Sequence, residues 1–284
     1  MRPRTAPPFV LLAVILAACN AGGASPSASA SAGFASASAS ASPSARPAPV
    51  ELTIYGAASL SGVLDDARAA YTAEHPEVSL TISTDSSATL RTQIEQGAPA
   101  DVFLSADTKN PQTLADGGLA DGGLVPFSGN RLTIIVPSDN PAAIGSPADL
   151  AKPGVKIVGA GAEVPISKYA LQAVDKLAAL PGYPAGFAAS YAANVVSQED
   201  NVKAIVAKIG GGDGDAGIVY VTDALASPTV ATVDIPPEAN VVATYAGVVV
   251  AASAHVAQAR TFLQWLAGPI GQAILASRGF IAAP

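Results

Sequence analysis

The chain has 284 residues, with 15 basic side chains against 22 acidic ones, a net charge of −7 and a single cysteine. No basic run occurs, which makes nucleic acid and anionic lipid surfaces poor partners. One cysteine cannot form an internal disulfide, and the length suffices for one large or two modest globular domains.

Arg2 and Arg4 precede the apolar run Phe9-Val-Leu-Leu-Ala-Val-Ile-Leu16 and the small residues Ala17-Ala18. This pattern predicts a secretory signal over residues 1–19, too short to span a bilayer as a stable helix. Leu16-Ala17-Ala18-Cys19 resembles the bacterial lipobox, which implies lipidation of Cys19 and a mature domain without a thiol. Residues 20–49 are almost entirely Ala, Ser, Gly and Pro. They cannot bury enough surface to offset their ordering entropy, so a disordered tether is expected. As a flexible coil it would reach on the order of 30 Å.

From Glu51 the composition turns globular. Glu51–Tyr55 alternates as a strand, and Leu60, Val63, Leu64, Ala67 and Tyr71 then recur at helical spacing up to His75-Pro76. Val78–Ser83 reads as a strand, Ala88–Gln96 as a helix stopped by Gly97, and Asp101–Ser105 as a third strand. Arg131–Val136 follows as a crossing strand. Lys156–Gly159 and Asn194–Ser197 are strands; Val164–Leu177 and Val202–Ile209 are helices; Gly217–Val221 is a strand. Val241–Ala252 is a returning strand, and the helix Arg260–Leu266 precedes Gly268-Pro269 and a last short helix. The strand–turn–helix alternation predicts parallel α/β sheets. Ala100–Asp107 and Ala216–Asp223 each follow a polar turn, a helix and a glycine, about 115 residues apart. That spacing is too long for a solenoid repeat of roughly 20–50 residues; two similar lobes fit it.

Parallel α/β sheets bind ligands at the carboxyl ends of their strands, where helix starts present N–H groups without intrahelical partners. Four such turns occur: Ala58-Ser59-Leu60, Ser86-Ser87-Ala88, Val164-Pro165-Ile166-Ser167 and Asp200-Asn201-Val202. If the lobes face one another, the four starts converge on a single cavity that needs no lysine or arginine. Taken singly, Ser59 and Ser87 read as helix caps, Ile166 and Val202 as core, and Tyr220 as packing. Lys168 reads as a surface lysine. Gly210-Gly-Gly-Asp-Gly-Asp215 lacks the later acidic ligand of a calcium loop and the lysine of a phosphate loop, and reads as a mobile connector. His75 and His255 neighbour no nucleophile motif, and there is no Gly-x-Ser-x-Gly elbow, so no enzyme is expected. An adhesin or structural lipoprotein would explain an anchor and tether but not converging helix starts.

Tyr55-Gly-Ala-Ala-Ser-Leu60, Ser86-Ser87-Ala-Thr-Leu90, Gly97-Ala-Pro-Ala-Asp-Val-Phe103, Glu163-Val-Pro165, Gly217-Ile-Val-Tyr220 and Gly279-Phe280 occur in order. Together they resemble the periplasmic molybdate-binding proteins of ABC importers. The resemblance implies a two-lobed, periplasmic-binding-protein-like (type II) α/β fold, with each lobe a mostly parallel sheet flanked by helices and the ligand cleft between them. Lobe 1 would comprise residues 51–130 and 242–284, and lobe 2 residues 131–241. It further implies a monomer that takes molybdate or tungstate through neutral groups and has no cofactor. Those groups would be Ser59, Ser87, the backbone N–H of Ile166 and of Val202, and Tyr220, with Ser86 an alternative to Ser87. The protein would stand outside the cytoplasm, held to the membrane by its lipid only, and deliver to ABC permease subunits. Phosphate or sulfate is the alternative ligand. Asp85 departs from the pattern: it either caps the helix after it or faces the cavity, where a carboxylate would repel a dianion and suit hydrogen phosphate.

Overall fold

The computed structural model describes residues 48–284. The expected signal, Cys19 and residues 20–47 of the expected tether lie outside the described residues. The first lobe starts with β1 (Val50–Ala57), α1 (Ser61–Glu74), β2 (Val78–Asp85), α2 (Ser87–Glu95), β3 (Val102–Ser105), α3 (Lys109–Asp116) and β4 (Ala120–Asn130). Leu52 and Ile54 of β1 are fully buried, as are Leu64 and Ala67 on the inner face of α1. Burial of each such leucine or isoleucine side chain contributes roughly 1.5–3 kcal/mol. Gly56 lets α1 approach the end of β1, because a Cβ there would lie 2.4 Å from Leu64 Cδ1. A single 3-10 turn, Ala58–Leu60, joins the two elements.

The chain then enters the second lobe through β5 (Leu132–Pro137), β6 (Ile157–Ala160), α4 (Pro165–Ala178), α5 (Phe187–Ala193), β7 (Val195–Glu199), α6 (Val202–Gly210), β8 (Gly217–Tyr220), α7 (Val221–Leu225) and β9 (Val230–Val233). It returns as β10 (Ala243–Val250), followed by α8 (Val256–Ala267) and α9 (Pro269–Ser277). The first sheet has the order β2-β1-β3-β10-β4. In the second lobe β7 pairs with β6, a parallel bridge from Ile157 to Ala216 leads to β8, and β8-β5-β9 completes the row. The two rows match strand for strand, so the internal repeat seen in the sequence is a repeat of topology.

Each sheet is mostly parallel, as expected, with one strand, β10 in the first and β5 in the second, running against the others. β1 runs parallel to β2 and β3, but β10 is antiparallel to β3 and β4. β6 is parallel to β7, while β5 is antiparallel to β8 and β9. The reason is connectivity. β5 and β10 each arrive from the opposite lobe, with no crossover helix to turn them parallel. The chain passes between the sheets at Arg131 and again after Val233.

Other differences are local. Val221, expected to end a strand, starts α7. The helix expected from Arg260 begins at Val256. The segment Gly210–Asp215, expected as a mobile connector, is tied to β6: Asp215 Oδ2 accepts the Lys156 N–H at 2.7 Å, and the Asp215 N–H donates to the Lys156 carbonyl at 2.8 Å.

A column of aromatic rings joins the lobes. Tyr169 and Tyr220 of the second lobe lie 6.4 Å apart between centroids; Tyr220 meets Tyr245 of β10 at 5.7 Å, and Tyr245 meets Phe280 at 5.5 Å. All are edge contacts, the arrangement that the ring quadrupole favours. Tyr220 stands in the middle of this column.

Candidate oxyanion site between the lobes

Each lobe presents two helix starts at the carboxyl ends of its strands. The 3-10 turn after β1 carries Ser59, and α2 after β2 starts at Ser87. Ile166 is the second residue of α4, after Pro165, and Val202 is the first residue of α6. Tyr220 ends β8. All five border one small cavity of about 10 Å³, together with Ala57, Ala58, Ser86, Ala106, Val164 and Pro165. That space is far below the roughly 300–1,000 Å³ of sites that hold drug-sized organic molecules. No charged side chain is among the lining residues.

The two adjacent serines have separate tasks. Ser86 is the N-cap of α2: its Oγ accepts the Thr89 N–H at 3.2 Å and is shared with the Thr89 hydroxyl at 2.8 Å. Ser87 Oγ accepts the Ala106 N–H at 3.0 Å. That acceptance leaves the Ser87 hydroxyl proton free to donate, and the same holds for Ser86 where Thr89 donates their shared hydroxyl bond. Both serines border the cavity. Ser59 is no cap; its Oγ lies 2.8 Å from the Tyr245 hydroxyl. Tyr245 in turn receives the Asn130 amide at 3.4 Å.

The N–H groups of Ile166 and Val202 belong to first turns and lack intrahelical partners. Their helices add partial positive charge at the same end. Tyr220 is 1 % exposed, and its hydroxyl has no hydrogen-bond partner among the described residues. Burial pushes this hydroxyl well above the ordinary tyrosine range, so it stays protonated and can donate. A buried, unpaired hydroxyl costs about 1–3 kcal/mol, and a ligand that accepts its proton removes that cost.

Asp85 does not line the cavity. Its Oδ1 accepts the Ser86 N–H at 2.7 Å and the Asn201 side-chain amide at 3.1 Å. Lys168 is exposed. Asp223, in the first turn of α7, is buried, and burial pushes its carboxyl up to about 7, partly offset by the charge of Lys203. Sequence reasoning missed Tyr245 and the bond from Asn201 to Asp85. Both rest on contacts between residues far apart in the chain, which leave no local signal.

A pair of α/β lobes, linked by crossing strands and enclosing a small cavity lined with helix starts, defines a two-lobed solute-binding protein. Residues 52–281 match the family of bacterial extracellular solute-binding proteins, and the chain belongs to that family. The molybdate-binding protein ModA of Mycobacterium tuberculosis H37Rv is 34% identical over 230 residues, which is 81% of this chain and 84% of that protein. Two solved structures share the fold. The periplasmic molybdate-binding protein of Azotobacter vinelandii aligns with a TM-score of 0.69 at 23% identity, over 82% of this chain and 100% of that one. The sulfate-binding protein SubI of M. tuberculosis H37Rv aligns at 0.72 with 22% identity, over 81% and 86%.

Proposed function

We propose that this protein captures molybdate, and tungstate with it, outside the cytoplasm and delivers it to the permease of an ABC importer. The observation that carries the reading is the unpaired Tyr220 hydroxyl, which borders the same charge-free cavity as Ser59, Ser87 and the starts of α4 and α6. The identity to ModA of M. tuberculosis supports the choice of ligand. In this reading Ser59, Ser87 and Tyr220 donate hydroxyl protons, and Ile166 and Val202 donate their N–H groups. The lobes are residues 51–130 with 242–284, and residues 131–241. Cys19 carries the lipid, and the protein works as a monomer.

Every proposed contact is a donor, which suits an anion with no proton of its own. Hydrogen phosphate needs an acceptor for its O–H, and no carboxylate lines the cavity. The one near in sequence, Asp85, is engaged by Ser86 and Asn201. Sulfate has the same charge and shape as molybdate, so only size separates them. Donors set for longer metal–oxygen bonds leave sulfate short of partners, at about 1–3 kcal/mol for each one unmet.

Titration calorimetry with the four anions tests the reading. Molybdate and tungstate should release heat and compete for one site per chain. Sulfate and phosphate should bind at least about a hundredfold more weakly, the effect of two unmet donors. Preference for phosphate or sulfate, or no binding of any of the four, would overturn the assignment.

A further inference from the structure

Val202 has a neighbour on either side that reaches across to the first lobe. Asn201, the N-cap of α6, uses its two side-chain atoms in two directions. Its Oδ1 accepts the Ala204 N–H at 3.1 Å, which caps the helix, and its Nδ2 donates to Asp85 Oδ1 at 3.1 Å, at the end of β2. Lys203 donates through Nζ to Ser61 Oγ, at the start of α1. The two receiving residues stand two positions from the cavity serines: Asp85 before Ser87, and Ser61 after Ser59. Three consecutive residues at the start of α6, its cap Asn201 included, thus face the two serine turns of the opposite lobe, the outer two through side chains and the middle one bordering the cavity.

We propose that Asn201 and Lys203 form a latch that holds the start of α6 against the two serine turns and sets how fast the bound oxyanion escapes. The inference rests on the functional reading above and adds its control. Asn201 is a positioning residue: it touches no ligand, but it fixes the direction of the Val202 N–H through the cap and its distance from Ser87 through Asp85. The Asp85 carboxylate is also accounted for. It accepts a hydrogen bond from the other lobe, so its negative charge is spent on closure and not turned on the anion. The latch bonds break when the lobes part, so they slow opening. Capture by the open form precedes them and is unaffected. A further pair, Lys109 and Glu163 at 3.6 Å, also spans the lobes, but both side chains are well exposed and such pairs contribute little.

The test follows release of bound, isotopically labelled molybdate from the full-length protein into excess unlabelled molybdate, alongside the capture rate. Asn201→Ser keeps an oxygen able to cap α6 but is too short to reach Asp85. Its release rate should rise about tenfold, with capture changed by no more than about twofold. Lys203→Met, which leaves the cap untouched, should also speed release, and serves if the first variant folds poorly. Asp85→Ala combined with Asn201→Ser should release no faster than the faster single variant, because both remove one bond. A purely structural role for Asn201 would instead give additive effects and slow capture too, and that result overturns the latch. Unchanged release in Asn201→Ser and Lys203→Met also overturns it while leaving the site assignment standing. Failure of the unaltered protein to take up molybdate at all brings down both.

Discussion

Replacing Tyr220 with phenylalanine should weaken molybdate binding by roughly ten- to a hundredfold and leave the ligand-free protein at least as stable as before. The two effects have one origin. The Tyr220 hydroxyl is buried and unpartnered, so the ligand-free protein bears its desolvation without a compensating bond. Its removal relieves up to about 1–3 kcal/mol in the free state and deletes a hydrogen bond to a charged group in the bound one, worth about 1.5–3 kcal/mol. The ring itself is kept, so the column through Tyr169, Tyr245 and Phe280 is undisturbed. Thermal melting with and without molybdate reads both effects at once. A drop in the ligand-free melting temperature, with affinity unchanged, would show that the hydroxyl serves packing alone.

The second large effect is expected from Val202→Pro. Proline is normally disruptive in a helix, but Val202 is the first residue of α6, where the missing N–H is one the helix does not use. Asn201 already has φ −157° and ψ 168°, the extended conformation that a following proline requires. The substitution therefore deletes one N–H donor with little backbone strain, and affinity should fall about ten- to a hundredfold, the value of a donor to a charged acceptor. Val202→Ala is the control: it trims a buried side chain, costs some stability and keeps the N–H, so its affinity should stay within about twofold of the original. If proline and alanine weaken binding equally, the side chain matters and the N–H does not.

The sequence revealed the parts of this molecule that local pattern encodes. Strand–helix units end on Gly97 and Gly210, and the serine, proline and asparagine turns mark helix starts, because caps and glycine stops are set by residues a few positions apart. The four helix starts that border the cavity were legible for that reason. β4 was not: Gly122, Gly123 and Pro126 give it the composition of a turn, and it is tolerated as a strand because it lies at a sheet edge with register shifts against β10. The reversed strands β5 and β10 were hidden because strand direction depends on how the chain crosses between lobes. The supports of the site were hidden as well. Tyr245 meets Ser59 across 186 positions, and Asn201 meets Asp85 across 116. No periodicity records such pairs.

Crystals grown with molybdate, with the metal located by its anomalous scattering, test most directly whether neutral groups from both lobes hold one anion. A single strong peak should appear in the cavity between α2, α4 and α6. Its oxygens should lie within about 2.7–3.1 Å of Ser59 Oγ, Ser87 Oγ, the Tyr220 hydroxyl and the amide nitrogens of Ile166 and Val202. A peak beside lysine or arginine side chains on the surface, with that cavity filled only by water, would contradict the account.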